Sequence, residues 1–232
     1  MEFHYNILIR FAVGLIAGFL NVVAGGGSAL SLPALIFLGL DSVTANGTNR
    51  IAIIAQSVSA IVSFKKENYS DVKMSMLMSA ITLPGAVLGA LLATTIKDEL
   101  FNIILGIVNI GIIITMFLPK VKSKKGMEEN KITLPLFISL FLIGFYGGFI
   151  QVGVGFMIMA ALQHLLRLDL ISVNMHKVFL ALVFTLPAFI IFLIIGKVNF
   201  ILGLTLSCGN IIGAWQGAKL SVRKGEKFIK YF

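Results

Sequence analysis

The stretch GFLNVVAGGGSALSLPALIFLGL, Gly18 to Leu40, decides the fold. Its apolar residues suit a bilayer, yet three consecutive glycines and a serine, Gly25–Ser28, interrupt it near the middle. Hydrocarbon offers no water to satisfy free N–H and C=O groups. Irregular backbone therefore persists at membrane depth only where protein buries it or where it lines a polar cavity. The break predicts such a cavity, and the residues around it predict what enters.

The rest of the chain agrees with a membrane setting. Of 232 residues, 58% are hydrophobic and 12% charged, with a mean hydropathy of +0.99; soluble domains are roughly half apolar and a quarter charged. Apolar runs of about 17–25 residues recur, the length of helical spans, where a barrel would need short alternating strands. The fold class is thus an all-α polytopic membrane protein. No soluble domain fits, because the longest polar stretch, Lys120–Lys131, is a loop in length. The formal charge of +9 sits in short loops and the tail between spans, which orients a membrane protein and implies no nucleic acid. Partners expected from composition are membrane lipids. Cys208 is the one cysteine and excludes an intramolecular disulfide. With no HExxH, no paired intramembrane Asp and no Cys/His cluster, no metal, cofactor or catalytic residue is expected, and the chain is read as no enzyme. The opening MEFHYNILIRFAVGLIAGFL has acidic Glu2, no basic leader and no small-residue cleavage site, so it reads as a first span.

Apolar runs and turn signals place spans near 5–24, 43–64, 73–95, 100–118, 132–150, 171–195 and 198–216. Two further runs, 28–40 and 154–168, cover only about 20 Å each at 1.5 Å per residue, short of a hydrocarbon core of about 30 Å. They occupy equivalent places in two halves. GFLNVVAGGGSALSLPAL matches GFYGGFIQVGVGFMIMAAL with one extra residue, TANGTNR falls opposite ISVNMHK, and LPGAVLGALLA is echoed by GNIIGAWQGAKL. In that register Arg50 pairs with Lys177 and Asn49 with His176. The halves are 1–119 and 132–232, joined by a basic cytoplasmic loop at 120–131. If the short runs help complete crossings, each half has an odd count and the halves are inverted. Lys65, Lys66, Lys73, the loop, Arg167 and the tail then share one side, as the positive-inside rule requires, with the N-terminus outside.

Paired, glycine-interrupted short segments in corresponding positions of two halves point to a transporter's binding site near the midplane. Helices that start after such breaks aim free N–H groups and a positive dipole end into the cavity, which suits an anion. Gly25, Gly26, Gly27 and Ser28 form one candidate cradle, and Gly153 and Gly155 the other. Arg50 offers a fork to an oxyanion and Lys177 a mobile point charge, with Thr48, Asn49, Asn174 and His176 as neutral hydrogen bonders beside them. Pro33, Pro84 and Pro187 are candidate kinks. No Asp or Glu falls in the middle of a span, so the usual carboxylate proton relay is missing.

These motifs, from GFLNVVAGGGSALSLPAL through ANGTNRIAIIAQSVSAIVSF to GNIIGAWQGAKLSVRKGEKFIKYF, resemble the TauE/SafE sulfite exporter family of prokaryotic permeases, including its YfcA-like branch. The resemblance covers nearly the whole chain. It implies a multi-pass permease of the prokaryotic cytoplasmic membrane that moves small sulfur-containing anions such as sulfite or organosulfonates by alternating access. Gly25, Gly26, Gly27, Thr48, Asn49 and Arg50 fall in its first motif, and Gly153, Gly155, His176 and Lys177 in its second. Two departures stand out: the second break reads QVGVG, and the second half lacks a counterpart to span 100–118. The rival readings are an anion channel on the same site, a carrier of another small organic anion, a non-transporting scaffold and an intramembrane enzyme. Small-residue spans such as LPGAVLGALLA permit a homo-oligomer.

Overall fold

A computed structural model describes residues 2–117 and 132–232, with side chains described for 8–111 and 132–232. The Lys120–Lys131 loop, and the boundary between halves drawn there, lie outside the described residues. Among the described residues the structure is all-helical: α1 (Glu2–Val23), α2 (Ser28–Phe37), α3 (Ser42–Lys66), α4 (Val72–Thr95), α5 (Asp98–Phe117), α6 (Leu134–Phe149), α7 (Val154–Leu165), α8 (Leu170–Ile194) and α9 (Phe200–Tyr231). By length and composition α4 and α8, with mean hydropathies of 1.9 and 2.5, are apolar enough to cross a membrane.

Side-chain caps set four of the starts. Thr44 N–H donates to Asp41 (2.9 Å), Met74 N–H to Asp71 (3.0 Å), Ile171 and Ser172 N–H to Asp169 (2.8 and 3.1 Å), and Leu202 N–H to Asn199 (3.0 Å). Each such cap contributes about 1 kcal/mol. By contrast, α2 starts on Gly27 and α7 on Gly153, with no side-chain cap on either.

Two helix pairs hold the molecule together through glycines. Along α1 and α9, Gly14 lies against the Leu206 carbonyl, Gly18 against that of Asn210, Gly209 against that of Phe11 and Gly213 against that of Leu15. The same pattern recurs between α6 and α4: Gly144 against Thr82, Gly148 against Ala86, Gly85 against Phe141 and Gly89 against Phe145. At each of these places a Cβ would strike backbone, so close approach of the helices requires glycine. In both pairs the contacts advance in the same sense along both chains, so α1 runs with α9 and α4 with α6. Ser59 and Ser63 of α3 donate to the Ile211 and Trp215 carbonyls of α9, so α3 shares that direction. The start of α3 meets the end of α8 at Phe192, and its end at Phe64 joins Leu170 and Ile171, so α8 runs the other way.

Packing shifts two of the expected alignments. The sequence sets Gly18 opposite Gly144; the helix contacts set Gly14 opposite Gly144 and Gly18 opposite Gly148, because α1 continues one turn further before its break. Measured from the caps Asp41 and Asp169, two helices of 25 residues begin. Asn46 then falls opposite Asn174, and Asn49 rather than Arg50 falls opposite Lys177. Beyond the 198–216 span, α9 runs on because Gly217, Ala218 and Ser221 keep its packed face small, and it bends at Gly225 (φ 73°). After the bend Glu226 accepts from Leu170 N–H (3.1 Å) and Ile229 packs with Ile171, much as Asn102 of α5 bonds Ser42 and Leu105 packs with Val43.

Candidate functional site

The chain between α1 and α2 turns back sharply. Gly25 takes φ +92°, open to glycine at little cost, and Gly27 then seats against the Ala17 carbonyl and Asn21, so α2 returns alongside α1. The second break turns on Gly153, φ +75°. The two turns meet: a Cβ on Gly25 would lie 2.6 Å from the Gly155 carbonyl carbon, and one on Gly155 would lie 2.5 Å from Gly25 Cα. Gly26 lies under the Phe156 ring. The glycines therefore bring the two breaks into backbone contact and are themselves packed against protein.

Beside that contact is a cavity of about 20 Å³, room for one water. Its polar lining is Asn21, Ser28, Gln56, Ser57, Gln151 and Lys177, and Gly155 and apolar side chains, Ile53, Ile158 and Phe184 among them, form the rest of the wall. Ser28 is the first residue of α2, and Val154 and Gly155 open α7, so both uncapped helix starts border it. Gln56 Oε1, Ser57 Oγ and Gln151 Oε1 are buried with no hydrogen-bond partner among the described residues. Gln151 is held by its other end, Nε2 to Thr185 Oγ1 at 2.6 Å.

The two buried basic groups occupy different surroundings. Lys177 is 2% exposed; its Nζ donates to the Val22 carbonyl at the end of α1 (2.8 Å) and to Asn174 Oδ1 (2.6 Å), and lies 3.5 Å from Met159 Sδ. Asn174 in turn donates to the Val23 carbonyl (3.2 Å). Arg50 is 0% exposed and donates to the Gly147 and Gly148 carbonyls near the end of α6 (3.3 and 2.5 Å). Its guanidinium lies 4.7 Å from the centre of the Phe192 ring. Each cation thus closes off carbonyls at the end of a helix that precedes a break, where intrahelical donors run out. Only Lys177 reaches the cavity. No buried Asp or Glu accompanies either among the described residues.

The other expected residues disperse. Thr48 Oγ1 accepts from Asn199 N–H (2.9 Å), away from the breaks. Asn49 accepts from Ser31 Oγ (2.7 Å) and reaches Ser28 Oγ at 3.5 Å, bracing α2 against α3. His176 Nδ1 pairs with Ser75 Oγ (2.7 Å), facing α4. Of the twelve residues proposed from sequence, Ser28, Gly155 and Lys177 line the cavity. Asn21, Gln56, Ser57 and Gln151 line it too and were missed. The signal available was polarity inside apolar spans, which Gln56 and Ser57 carry plainly.

Discontinuous helices that meet around a buried, cation-bearing cavity are the arrangement of a membrane transport protein. The chain belongs to the sulfite exporter TauE/SafE family, whose model matches residues 10–232. It is 31% identical over 234 residues to "Probable membrane transporter protein ORF9" of Sinorhizobium sp., covering 99% of this chain and 88% of that one. It is 30% identical to a "Probable membrane transporter protein" of Haemophilus influenzae, over 97% of this chain and 88% of that one. With "Probable membrane transporter protein YfcA" of Escherichia coli K12 the figures are 28%, 96% and 83%. No solved structure matches the chain.

Proposed function

We propose that the chain is a multi-pass permease of the prokaryotic cytoplasmic membrane that carries a small sulfur-containing anion, sulfite or an organosulfonate, by alternating access between two inverted halves. The observation that carries the reading is the Lys177 cavity. A buried basic group with no carboxylate beside it is costly in a membrane, and two uncapped helix starts add positive partial charge to the same place. An anion relieves all three. The hydroxyls of Ser28 and Ser57 and the side-chain N–H groups of Gln56 offer it further hydrogen-bond donors. The repeated glycine contacts of α1 with α9 and α6 with α4, and the opposed directions of α3 and α8, support the inverted pairing.

Flux of labelled sulfite, sulfate, thiosulfate and methanesulfonate into proteoliposomes tests this, with Lys177→Gln and Arg50→Gln beside the parent. The expected result is saturable flux of one anion that Lys177→Gln abolishes. Flux of no anion by the parent would refute transport of this class, and non-saturable flux would favour a channel.

A further inference from the structure

We propose that Gln151, held by Thr185, makes the site select a sulfur oxyanion that carries its own hydrogen-bond donor, hydrogensulfite or a hydroxyalkanesulfonate, over anions that only accept. The proposal rests on the anion-site reading above and adds the basis of selection to it.

Gln151 sits in the second break between two fixed points. Ile150 N–H donates to the Tyr146 carbonyl (2.7 Å) and the Tyr146 hydroxyl to the Val152 carbonyl (2.6 Å), so the backbone on either side is tied back to α6. The Gln151 side chain is buried and borders the Lys177 cavity. Its Nε2 donates to Oγ1 of Thr185 on α8 at 2.6 Å, and Thr185 is itself fully buried. An amide held by its nitrogen does not turn that nitrogen to a ligand. Its oxygen is left as a fixed acceptor, and Oε1 has no partner among the described residues.

The other neutral groups of the cavity adapt. The hydroxyls of Ser28 and Ser57 rotate to donate or accept. Gln56 has an equally buried, unpartnered Oε1, but no hydrogen bond holds its Nε2 among the described residues, so its amide turns to suit the ligand. Lys177 supplies the positive charge. The cavity therefore combines one cation, several adaptable donors and one acceptor that stays an acceptor.

That acceptor decides which anions fit. Beside a fully deprotonated oxyanion the Gln151 oxygen faces other lone pairs, and beside an alkanesulfonate it faces lone pairs or a hydrocarbon tail. Either way a buried polar group stays unpaired, which is costly. A hydroxyl on the anion removes that cost by donating to Oε1, while the remaining oxygens accept from Lys177, Gln56 and the serines. A site built around such a contact rejects the analogue that lacks it. Because one cation balances one negative charge, the fitting class is a monoanion with a hydroxyl. No covalent bond forms or breaks.

Isethionate and propanesulfonate are the informative pair, because they match in size and charge and differ by a hydroxyl in place of a methyl group. Flux of each would be measured in proteoliposomes of the full chain, beside Thr185→Val, Thr185→Ser and Gln151→Met. In the parent, kcat/KM should favour isethionate by roughly 10- to 100-fold. Thr185→Val keeps the shape but releases the amide, and should bring that ratio close to one. Thr185→Ser restores the hydroxyl and should restore the ratio, whereas a purely structural role for Thr185 would scale both fluxes alike. Should Thr185→Val fail to fold, Gln151→Met, which removes the oxygen, should also bring the ratio close to one. If sulfite alone is carried, parent flux at equal internal and external pH should follow the hydrogensulfite concentration, and Thr185→Val should weaken that dependence. A parent that carries both sulfonates alike, sulfite flux that follows the dianion, or a preference unchanged in the variants overturns the proposal with the transport reading intact. Absence of flux for every anion tested overturns the transport reading itself.

Discussion

The backbone contact between Gly25 and Gly155 makes a quantitative prediction, because two separate costs can be isolated. Gly39→Ala carries left-handed strain alone: φ is +94° and nothing lies within 4 Å of a Cβ there. Strain of that kind is worth about 1–2 kcal/mol. Gly155→Ala carries a clash alone, with Gly25 Cα and O at 2.5 Å, and overpacking of backbone is worth about 1–3 kcal/mol. Gly25→Ala carries both, φ +92° and Gly155 C at 2.6 Å, giving a sum of about 3 kcal/mol or more. At roughly 2–4 °C per kcal/mol for a chain of this size, Tm should fall by about 10 °C in Gly25→Ala and by a few degrees in the other two. Intrinsic fluorescence during thermal unfolding in detergent measures all three, with anion flux as the second readout. A Gly25→Ala protein no less stable than Gly39→Ala would refute the contact between the two breaks.

Three further outcomes follow from the same geometry. Arg50→Gln leaves the Gly147 and Gly148 carbonyls short of donors, and at about 1.5–3 kcal/mol per charged hydrogen bond it should lower Tm while leaving the half-saturation concentration of the folded fraction within about twofold. Gln56→Leu removes a buried unpartnered oxygen, so it should hold or raise Tm, yet the loss of its side-chain N–H donors should raise the half-saturation concentration about tenfold for a lost hydrogen bond of about 1.4 kcal/mol; unchanged flux would remove Gln56 from the site, whereas Gln151→Leu also breaks the bond to Thr185 and should lower Tm. Partial burial pushes the Asp41 carboxyl up, but the Thr44 hydrogen bonds and the Lys197 ammonium outweigh it, so it sits below its ordinary value of 3.8. Its contribution is therefore present above that value and lost as pH falls through the lower folded one. Asp41→Ala should cost about 1 kcal/mol at pH 7, and the difference from the parent in thermal unfolding should shrink below pH 4.

Much of the architecture was legible because hydrophobic length and glycine placement are local properties. The runs read at 43–64, 73–95 and 171–195 lie within two residues of α3, α4 and α8 at each end, and both short runs emerged as short helices. The side-chain directions were not legible. Thr48, Asn49 and Arg50 are consecutive, so on a helix they point about 100° apart. They end on three neighbours: Asn199, Ser31 and the end of α6. Reading TNR as one unit put all three in one site, whereas the helix distributes them. The face of α3 that does reach the cavity lies about two turns on, at Gln56 and Ser57. Gln151 was visible as a departure from a glycine run, but its value depended on Thr185 holding one end, a contact spanning 34 residues.

The glycine pairing of α1 with α9 also sets an order of events during synthesis. The chain's first helix finds its matching face only after roughly 190 further residues have been made, which at about 5–20 residues per second is on the order of ten to forty seconds. For that interval the grooved surface around Gly14 and Gly18 lies open to lipid or to whatever insertion machinery attends it. The α4 and α6 pair completes much sooner. Assembly should therefore proceed from the centre of the chain outward, with the N-terminal helix docking last.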